Sequence, residues 1–214
     1  AHFEGRERPT LTTAEIEAGL AAWQTADGFG SAQWNKRRMA IKKLFDVLDR
    51  EFDFTLDAAA SAANARVPTY YTEMIDALSL PNGRWGSDAL RAETMMLSID
   101  GGIAAGAIWL NPPYGKGLFK WVERAAEEGA LGARVVVLIP SRTDTKYFHL
   151  AAARGAVRLL AGRLHFELNG KPIANTNGTS TPAPFPSAIV VFGPRVRPGI
   201  RLWDWKKARD AAST

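Results

Sequence analysis

The 214-residue chain contains no cysteine and only three histidines. The lack of cysteine excludes disulfides, a thiol nucleophile and a thiolate metal site. The histidines are scattered, and no spacing places two of them on one face of a helix. We therefore expect the protein to use neither a metal ion nor redox chemistry.

Long apolar runs are also missing from the chain. No stretch approaches the roughly 20 apolar residues of a membrane span, and residues 1–10 lack the apolar core of a signal peptide. We expect a cytoplasmic protein with no membrane partner. Its net charge of +5 favours a polyanionic partner, because each phosphate that a basic side chain neutralises releases counterions.

Short apolar runs bounded by glycine, proline or asparagine alternate along the chain with amphipathic stretches. This alternation predicts an α/β fold, in which a mostly parallel sheet carries helices on both faces. We expect the strands at 54–57, 107–110, 135–139, 157–160 and 188–192. We expect the helices at 36–52, 118–128 and 145–154.

Three parts are predicted along the chain: an N-terminal helical arm over 1–33, a catalytic domain over 34–196 and a C-terminal tail over 197–214. The capping-box pattern TTAE opens the helix of the arm. Residues 169–186, rich in Asn, Thr, Gly and Pro, predict a long mobile loop. Loops of that length inside a compact domain are usually functional or disordered.

Three of the predicted strands end in residues suited to chemistry rather than to packing. Asp57 ends the first strand, residues 111–114 follow the second, and residues 140–144 follow the third. A doubly wound sheet binds its ligands beyond the carboxyl ends of its strands. We therefore expect these three groups to line one crevice.

The segment Asn111-Pro112-Pro113-Tyr114 matches a definite chemical problem. An amine on a purine or pyrimidine ring shares its lone pair with the ring, so it attacks a methyl group only when acceptors draw its hydrogens out of the ring plane. The Asn111 side-chain oxygen and the Pro112 carbonyl can accept these hydrogens. The prolines restrict the backbone, and Tyr114 offers a stacking face. The alternative, a Pro-Pro turn that merely ends a strand, is disfavoured by the flanking residues.

These and further motifs resemble a known family, the phage-type DNA N6-adenine methyltransferases of Dam type. The similarity runs from about residue 44 to 194 and includes, in order, FTLDAAAS with a following Asn, YT, WLNPPYG, PSRTDT, GRLHF and PFPSAIVVF. It implies a Rossmann-like fold with S-adenosylmethionine as cofactor. It also implies methyl transfer to the N6 amine of adenine in double-stranded DNA, with the target base flipped out of the duplex. A phage-encoded member would act in the cytoplasm of the host.

The resemblance further implies a cofactor site. Asp57, Ala58 and Ala59 take the place of a glycine-rich loop at the amino acid end of the cofactor, Asp76 binds the cofactor adenine, and Asn111 also contacts the cofactor. The residues alone leave alternatives open. Asp57 is equally suited to be the N-cap of a helix, and Asp76 to be a solvated surface residue.

The substrate side of the site is assigned by the same resemblance to Tyr114, Lys116, Arg142, Arg163 and Phe166. The Arg142 guanidinium is suited to hold a phosphate or a base edge. The alternative role for this loop is that the neighbouring Asp144 caps the helix that begins at Thr145, and both roles can hold together. Arg163 and Phe166 fit a hairpin edge with a core phenylalanine equally well.

One departure from the family pattern concerns the residues after Trp34. A Thr-Pro pair is common there in the family, whereas this chain continues with Asn35. The change puts cofactor affinity and activity in question. It also makes a nearby basic cluster as plausible a DNA contact as a solvated helix face. The cluster consists of Lys36, Arg37, Arg38, Lys42 and Lys43.

Other functions fit the central motif as well. Methyltransferases that act on RNA bases, on the N4 amine of cytosine or on protein glutamine face the same problem of a planar nitrogen. A relative that binds DNA but has lost catalysis is the alternative from a different class. The sequence predicts neither the recognition sequence nor the oligomeric state.

Overall fold

The computed structural model describes residues 40–62, 64–95, 106–164, 167–168, 171–172 and 183–211. The predicted arm, the segment around Trp34 and Phe166 lie outside these ranges. The described elements are α1 (Ala40–Phe52), β1 (Phe54–Asp57), α2 (Arg84–Met95), β2 (Ala107–Leu110), α3 (Leu118–Ala130), β3 (Arg134–Pro140), α4 (Lys146–Arg154), β4 (Ala156–Leu160), β5 (Glu167–Leu168), β6 (Lys171–Pro172), β7 (Ser187–Phe192), β8 (Gly199–Trp203) and α5 (Trp205–Ala211).

The main sheet in the described part of the chain has six strands in the order β1-β2-β3-β7-β4-β8. β1, β2 and β3 are parallel neighbours, and β4 pairs in parallel with β8. β7 lies between β3 and β4 and is antiparallel to both. Five of the six strands therefore run in one direction. The predicted mostly parallel sheet is confirmed.

Helices cover both faces of this sheet, because alternate residues of each strand point to opposite sides. On one face, Ile108, Val137 and Val190 pack with apolar residues of α2, α3 and α4. On the other face, Trp109 and Leu138 pack with α1 and α5. The arrangement is the Rossmann-like fold that the sequence predicts.

Most of the predicted strands and helices agree with the structure. All five predicted strands are present, and α3 continues two residues past its predicted end. The expectation that Asp144 caps α4 is wrong. The N-cap is Thr145, which has extended backbone angles, and its hydroxyl donates to the Arg142 carbonyl at 2.7 Å. The Asp144 side chain is exposed.

Two regions contain structure that the sequence analysis did not predict. α2 lies between the first two strands, and the segment set apart as a tail forms β8 and α5. Since β8 pairs with β4 over five residues, the sheet continues beyond residue 196. The predicted loop over 169–186 includes β6, which pairs with β5 as a short antiparallel ladder. Residues 173–182 lie outside the described ranges.

A buried ion pair joins α3 to the start of α2. Arg124 and Glu128 lie one turn apart on α3, and their side chains are 7% and 0% exposed. The guanidinium also donates to the carbonyls of Leu80 and Pro81, each at 2.6 Å, and lies 5.2 Å from the centre of the Trp85 ring. Glu128 accepts the backbone N–H groups of residues 83 and 86. A carboxylate is favourable there, because the first N–H groups of a helix lack partners within the helix.

A second ion pair joins α1 to the sheet. Arg158 of β4 donates through both terminal nitrogens to the two carboxylate oxygens of Glu51. Its guanidinium lies 5.3 Å from the ring centres of both Phe52 and Trp203. The contacts connect α1 to β4 and to β8, the strand at the end of the sheet.

We predict that Glu128→Ala strongly destabilises the protein. The substitution leaves the buried Arg124 without its carboxylate and removes the partner of two backbone N–H groups. Breaking a buried pair in this way costs roughly 3–5 kcal/mol. Urea unfolding measures the change. Glu123→Ala, at an exposed position on the same helix, should change stability by less than about 0.5 kcal/mol, and equal effects of the two substitutions would contradict the assigned role.

Candidate active site

An open cleft lies at the carboxyl ends of β1 and β2. The cleft spans about 580 Å³ of space, including the open solvent at its mouth. Its lining residues are Ile41, Asp57, Ala59, Asn64, Arg66, Trp109, Asn111, Pro112, Pro113 and Tyr114. The cleft therefore brings together two of the three groups expected to line one crevice, and residues 140–144 are not among those that line it.

Asp57 is held at the end of β1 by the backbone on both sides. Its N–H donates to the Thr69 carbonyl at 3.0 Å and its carbonyl accepts from Tyr71 at 2.9 Å. The carboxylate accepts the N–H of Ala59 at 3.3 Å and that of Arg66 at 3.2 Å. No helix follows β1 directly, so the carboxylate stabilises a loop rather than capping a helix.

Burial raises the pKa of the Asp57 carboxyl from 3.8 to about 6. The side chain loses most of its hydration, which disfavours the charged form. The two backbone N–H donors and the positive charge of Arg66 act in the opposite direction and lower the pKa. At neutral pH the group is mostly a carboxylate, ready to pair with a cation that enters the cleft.

The loop behind Asp57 is itself anchored to α2. The Tyr71 hydroxyl donates to Asp88 at 2.8 Å, and Arg84 donates to the same carboxylate oxygen at 2.7 Å. Burial and the bond to Asp88 raise the pKa of Tyr71, so it remains a hydrogen-bond donor. Within the loop, the Ala60 N–H also donates to the Tyr71 carbonyl at 2.9 Å.

The four residues after β2 also line the cleft. Asn111 and Tyr114 are half-buried, Pro112 is buried and Pro113 is exposed. The Tyr114 hydroxyl lies 3.4 Å from the Asn111 side-chain oxygen and 3.4 Å from the Leu138 carbonyl. These contacts hold the tyrosine ring beside the asparagine amide. A hydrogen-bond acceptor and an aromatic ring are therefore adjacent in this segment.

Phe185, which was not among the predicted site residues, contacts two of them, Tyr114 and Arg142. Its ring meets the Tyr114 ring edge-on at 5.5 Å between centres, and the Arg142 guanidinium lies 5.5 Å from its centre. Phe185 thus connects the loop after β2 to the loop after β3. Its only signal in the sequence was its place in the PFPSAIVVF motif.

The other predicted site residues in the described ranges are not among those that line the cleft. Ala58 is buried, and its N–H donates to the Trp109 carbonyl at 2.9 Å. Asp76 is exposed, has a positive φ of 44° and is not among the residues that line the cleft. Lys116 is exposed in the loop after Tyr114. Arg163 donates to the Ala183 carbonyl at 3.1 Å.

The basic cluster is described only in part. Lys42 and Lys43 are exposed on α1, and Lys42 pairs with Asp46 at 3.0 Å. The other three members, at 36–38, lie outside the described residues. Arg66 lines the cleft although nothing in the sequence marked it. It follows Asp57 by nine residues in a loop with no periodic pattern, so only the folded chain brings it near the carboxylate.

Comparison with known proteins decides the family. Residues 33–210 match the sequence model of the family described as DNA N-6-adenine-methyltransferase (Dam). The chain belongs to the Dam family. This Dam-family protein is a methyltransferase, and the resemblance inferred from the motifs is confirmed.

Two further comparisons concern sequence relatives and solved structures. No curated protein matches the Dam-family chain. A solved structure titled as a predicted O-methyltransferase, protein Atu636 from Agrobacterium tumefaciens, matches with 16% identity and a TM-score of 0.31. The match covers 70% of this chain and 78% of that one.

In the described ranges, each helix of this Dam-family protein is too short or too polar to span a membrane. The same ranges hold no group of three or more histidine or acidic side chains placed to bind a metal ion.

We predict that the stability contributed by Asp57 depends on pH. Its folded-state pKa of about 6 lies above the unfolded value, so the folded protein binds the proton more tightly. This contribution is fully present below about pH 4 and is lost as the pH rises through 6. Wild type should therefore gain stability relative to Asp57→Asn, on the order of 1–3 kcal/mol, when the pH falls from 7.5 to 4.5.

Urea unfolding of both proteins at several pH values measures this difference. Asp144→Asn, at an exposed position, is the matched control, because it also removes one carboxylate. A stability difference between wild type and Asp57→Asn that stays constant with pH would contradict the raised pKa.

Proposed function

We propose that this protein transfers a methyl group from S-adenosylmethionine to the exocyclic N6 amine of adenine in DNA. The observation that carries the proposal is that Asp57 and Ala59 line the same cleft as Asn111 and Tyr114. Asp57 and Ala59 are suited to bind a cofactor, and Asn111 and Tyr114 are suited to bind a planar amine. Membership of the Dam family supports adenine and DNA as the substrate.

The cleft residues fit the chemistry of the cofactor. Asp57 offers a carboxylate to an ammonium group, and the small side chain of Ala59 leaves the backbone accessible. Ile41, Trp109 and Pro112 add apolar surface for the uncharged part of a ligand. When bound, S-adenosylmethionine supplies a methyl group attached to a positively charged sulfur. The sulfur is a good leaving group, because it becomes a neutral thioether when the methyl group is transferred.

Asn111 and Pro112 prepare the amine for attack. Their two oxygens accept the amine hydrogens and turn the nitrogen lone pair out of conjugation with the ring. The nitrogen–carbon bond forms as the carbon–sulfur bond breaks, and the methylated amine then releases one proton to water. Because the leaving group is already activated, positioning and charge complementarity contribute most of the catalysis.

Tyr114 provides the surface on which the target base stacks. A base inside a duplex cannot reach a cleft of this kind, so double-stranded DNA must present it flipped out. Phe185 supports the Tyr114 ring from the side. Lys116 and Arg142 lie in loops that follow parallel strands, at the same edge of the sheet, where they are suited to contact phosphates.

We predict that Asn111→Ala and Tyr114→Ala abolish methyl transfer while the fold is retained. The first removes an acceptor for the amine, and the second removes the ring that holds the flipped base in position for attack. Tyr114→Phe keeps the ring and should stay within about tenfold of wild type. Transfer of tritiated methyl groups to DNA measures activity, and circular dichroism checks the fold.

The products of that reaction identify the substrate. Digestion of the DNA followed by nucleoside mass spectrometry should show N6-methyladenine. Methylated cytosine, or methyl transfer to RNA or protein but not to DNA, would replace the proposed substrate. Wild-type turnover in Asn111→Ala or Tyr114→Ala would overturn the assignment of the site.

We predict that Phe185→Ala weakens the interaction with DNA and leaves the interaction with the cofactor unchanged. The substitution removes the ring that contacts both Tyr114 and Arg142, neither of which is proposed to bind the cofactor. KM for DNA should rise roughly fivefold, as expected for loss of an aromatic contact of about 1 kcal/mol, with S-adenosylmethionine affinity unchanged. Phe185→Leu is the matched control for packing volume, and an unchanged KM in Phe185→Ala would rule out this role.

A further inference from the structure

The cleft contains two opposite charges close together. Among the described residues that line it, Asp57 is the one anionic side chain and Arg66 the one cationic side chain. The Arg66 N–H donates to the Asp57 carboxylate at 3.2 Å, so the loop containing Arg66 passes directly beside the end of β1. The Arg66 charge is near enough to lower the pKa of Asp57.

A carboxylate and a guanidinium that line the same cleft are suited to a ligand that carries both charges close together. The amino acid end of S-adenosylmethionine has an ammonium and a carboxylate on the same carbon. If Asp57 alone received this end, the ligand carboxylate would lie near a second carboxylate without compensation, and like charges at short distance repel. The Arg66 side chain, which lines the same cleft, removes the conflict, since a guanidinium can bind a carboxylate through two parallel hydrogen bonds.

We infer that Arg66 binds the carboxylate of the cofactor's amino acid end, while Asp57 binds its ammonium group. The inference rests on the proposed function for the identity of the cofactor. It adds a residue that neither the family motifs nor the sequence pattern indicated. The backbone N–H of Arg66 remains whatever its side chain, so an Arg66 substitution leaves the hydrogen bond to Asp57 in place.

Isothermal titration calorimetry with two ligands tests the assignment. The first ligand is S-adenosylmethionine, and the second is its decarboxylated analogue, which keeps the ammonium and the sulfonium. Wild type should bind the complete cofactor about 10- to 100-fold more tightly, as expected for a charge-assisted hydrogen bond. Arg66→Ala should lose that preference, because affinity for the cofactor falls while affinity for the analogue stays equal or improves.

Two further variants sharpen the comparison. Arg66→Lys keeps a positive charge but not the planar pair of donors, so its preference should lie between those of wild type and Arg66→Ala. Arg154→Ala removes an exposed cation at the C-terminal end of α4, which is the end of the sheet opposite the cleft. This control should keep the wild-type preference.

The outcomes separate this inference from the proposed function. Loss of affinity for both ligands to the same extent in Arg66→Ala, or no loss for either, would overturn the role of Arg66. A wild-type protein that binds neither ligand would overturn both proposals. Selective loss of cofactor affinity in a protein that methylates no DNA would support the role of Arg66 and refute the substrate.

Discussion

The site depends on one backbone hydrogen bond, from the Ala58 N–H to the Trp109 carbonyl. It extends the pairing of β1 with β2 by one residue and fixes the register in which Asp57 lies opposite Trp109. Asn111 then follows two residues after Trp109, directly beyond the end of β2. A shift of one residue would turn the Asp57 side chain to the other face of the sheet. The two halves of the cleft therefore meet because of strand register.

Buried charges in this protein have two different kinds of environment. Arg124 and Glu128 have each other and several backbone groups as partners, and they hold α2 against α3. Asp57 is also buried, yet its carboxylate accepts only two long hydrogen bonds from backbone N–H groups among the contacts described for it, and the positive charge of Arg66 stabilises its charged form. The first environment stabilises the fold. The second leaves a carboxylate with capacity for a ligand.

The parts of the structure that the sequence predicted are those with a local signal. Five strands and the Asn-Pro-Pro-Tyr segment were predicted because apolar runs and turn residues are read within a few positions. Asp144 was assigned as the cap of α4 by composition, although Thr145 has the extended backbone of an N-cap. β8 and Arg66 were missed because their positions depend on strand pairing and on a loop that returns to β1. Such contacts leave no periodic trace in the sequence.

The reversed direction of β7 has a consequence for how such proteins diversify. β4 ends at the edge of the sheet that carries the cleft, and β7 starts from that same edge. The chain between them therefore leaves the sheet and re-enters it at that one edge. Lengthening such a connection adds only a small loop-closure entropy. Its length and composition can therefore change without a change in the core of the sheet.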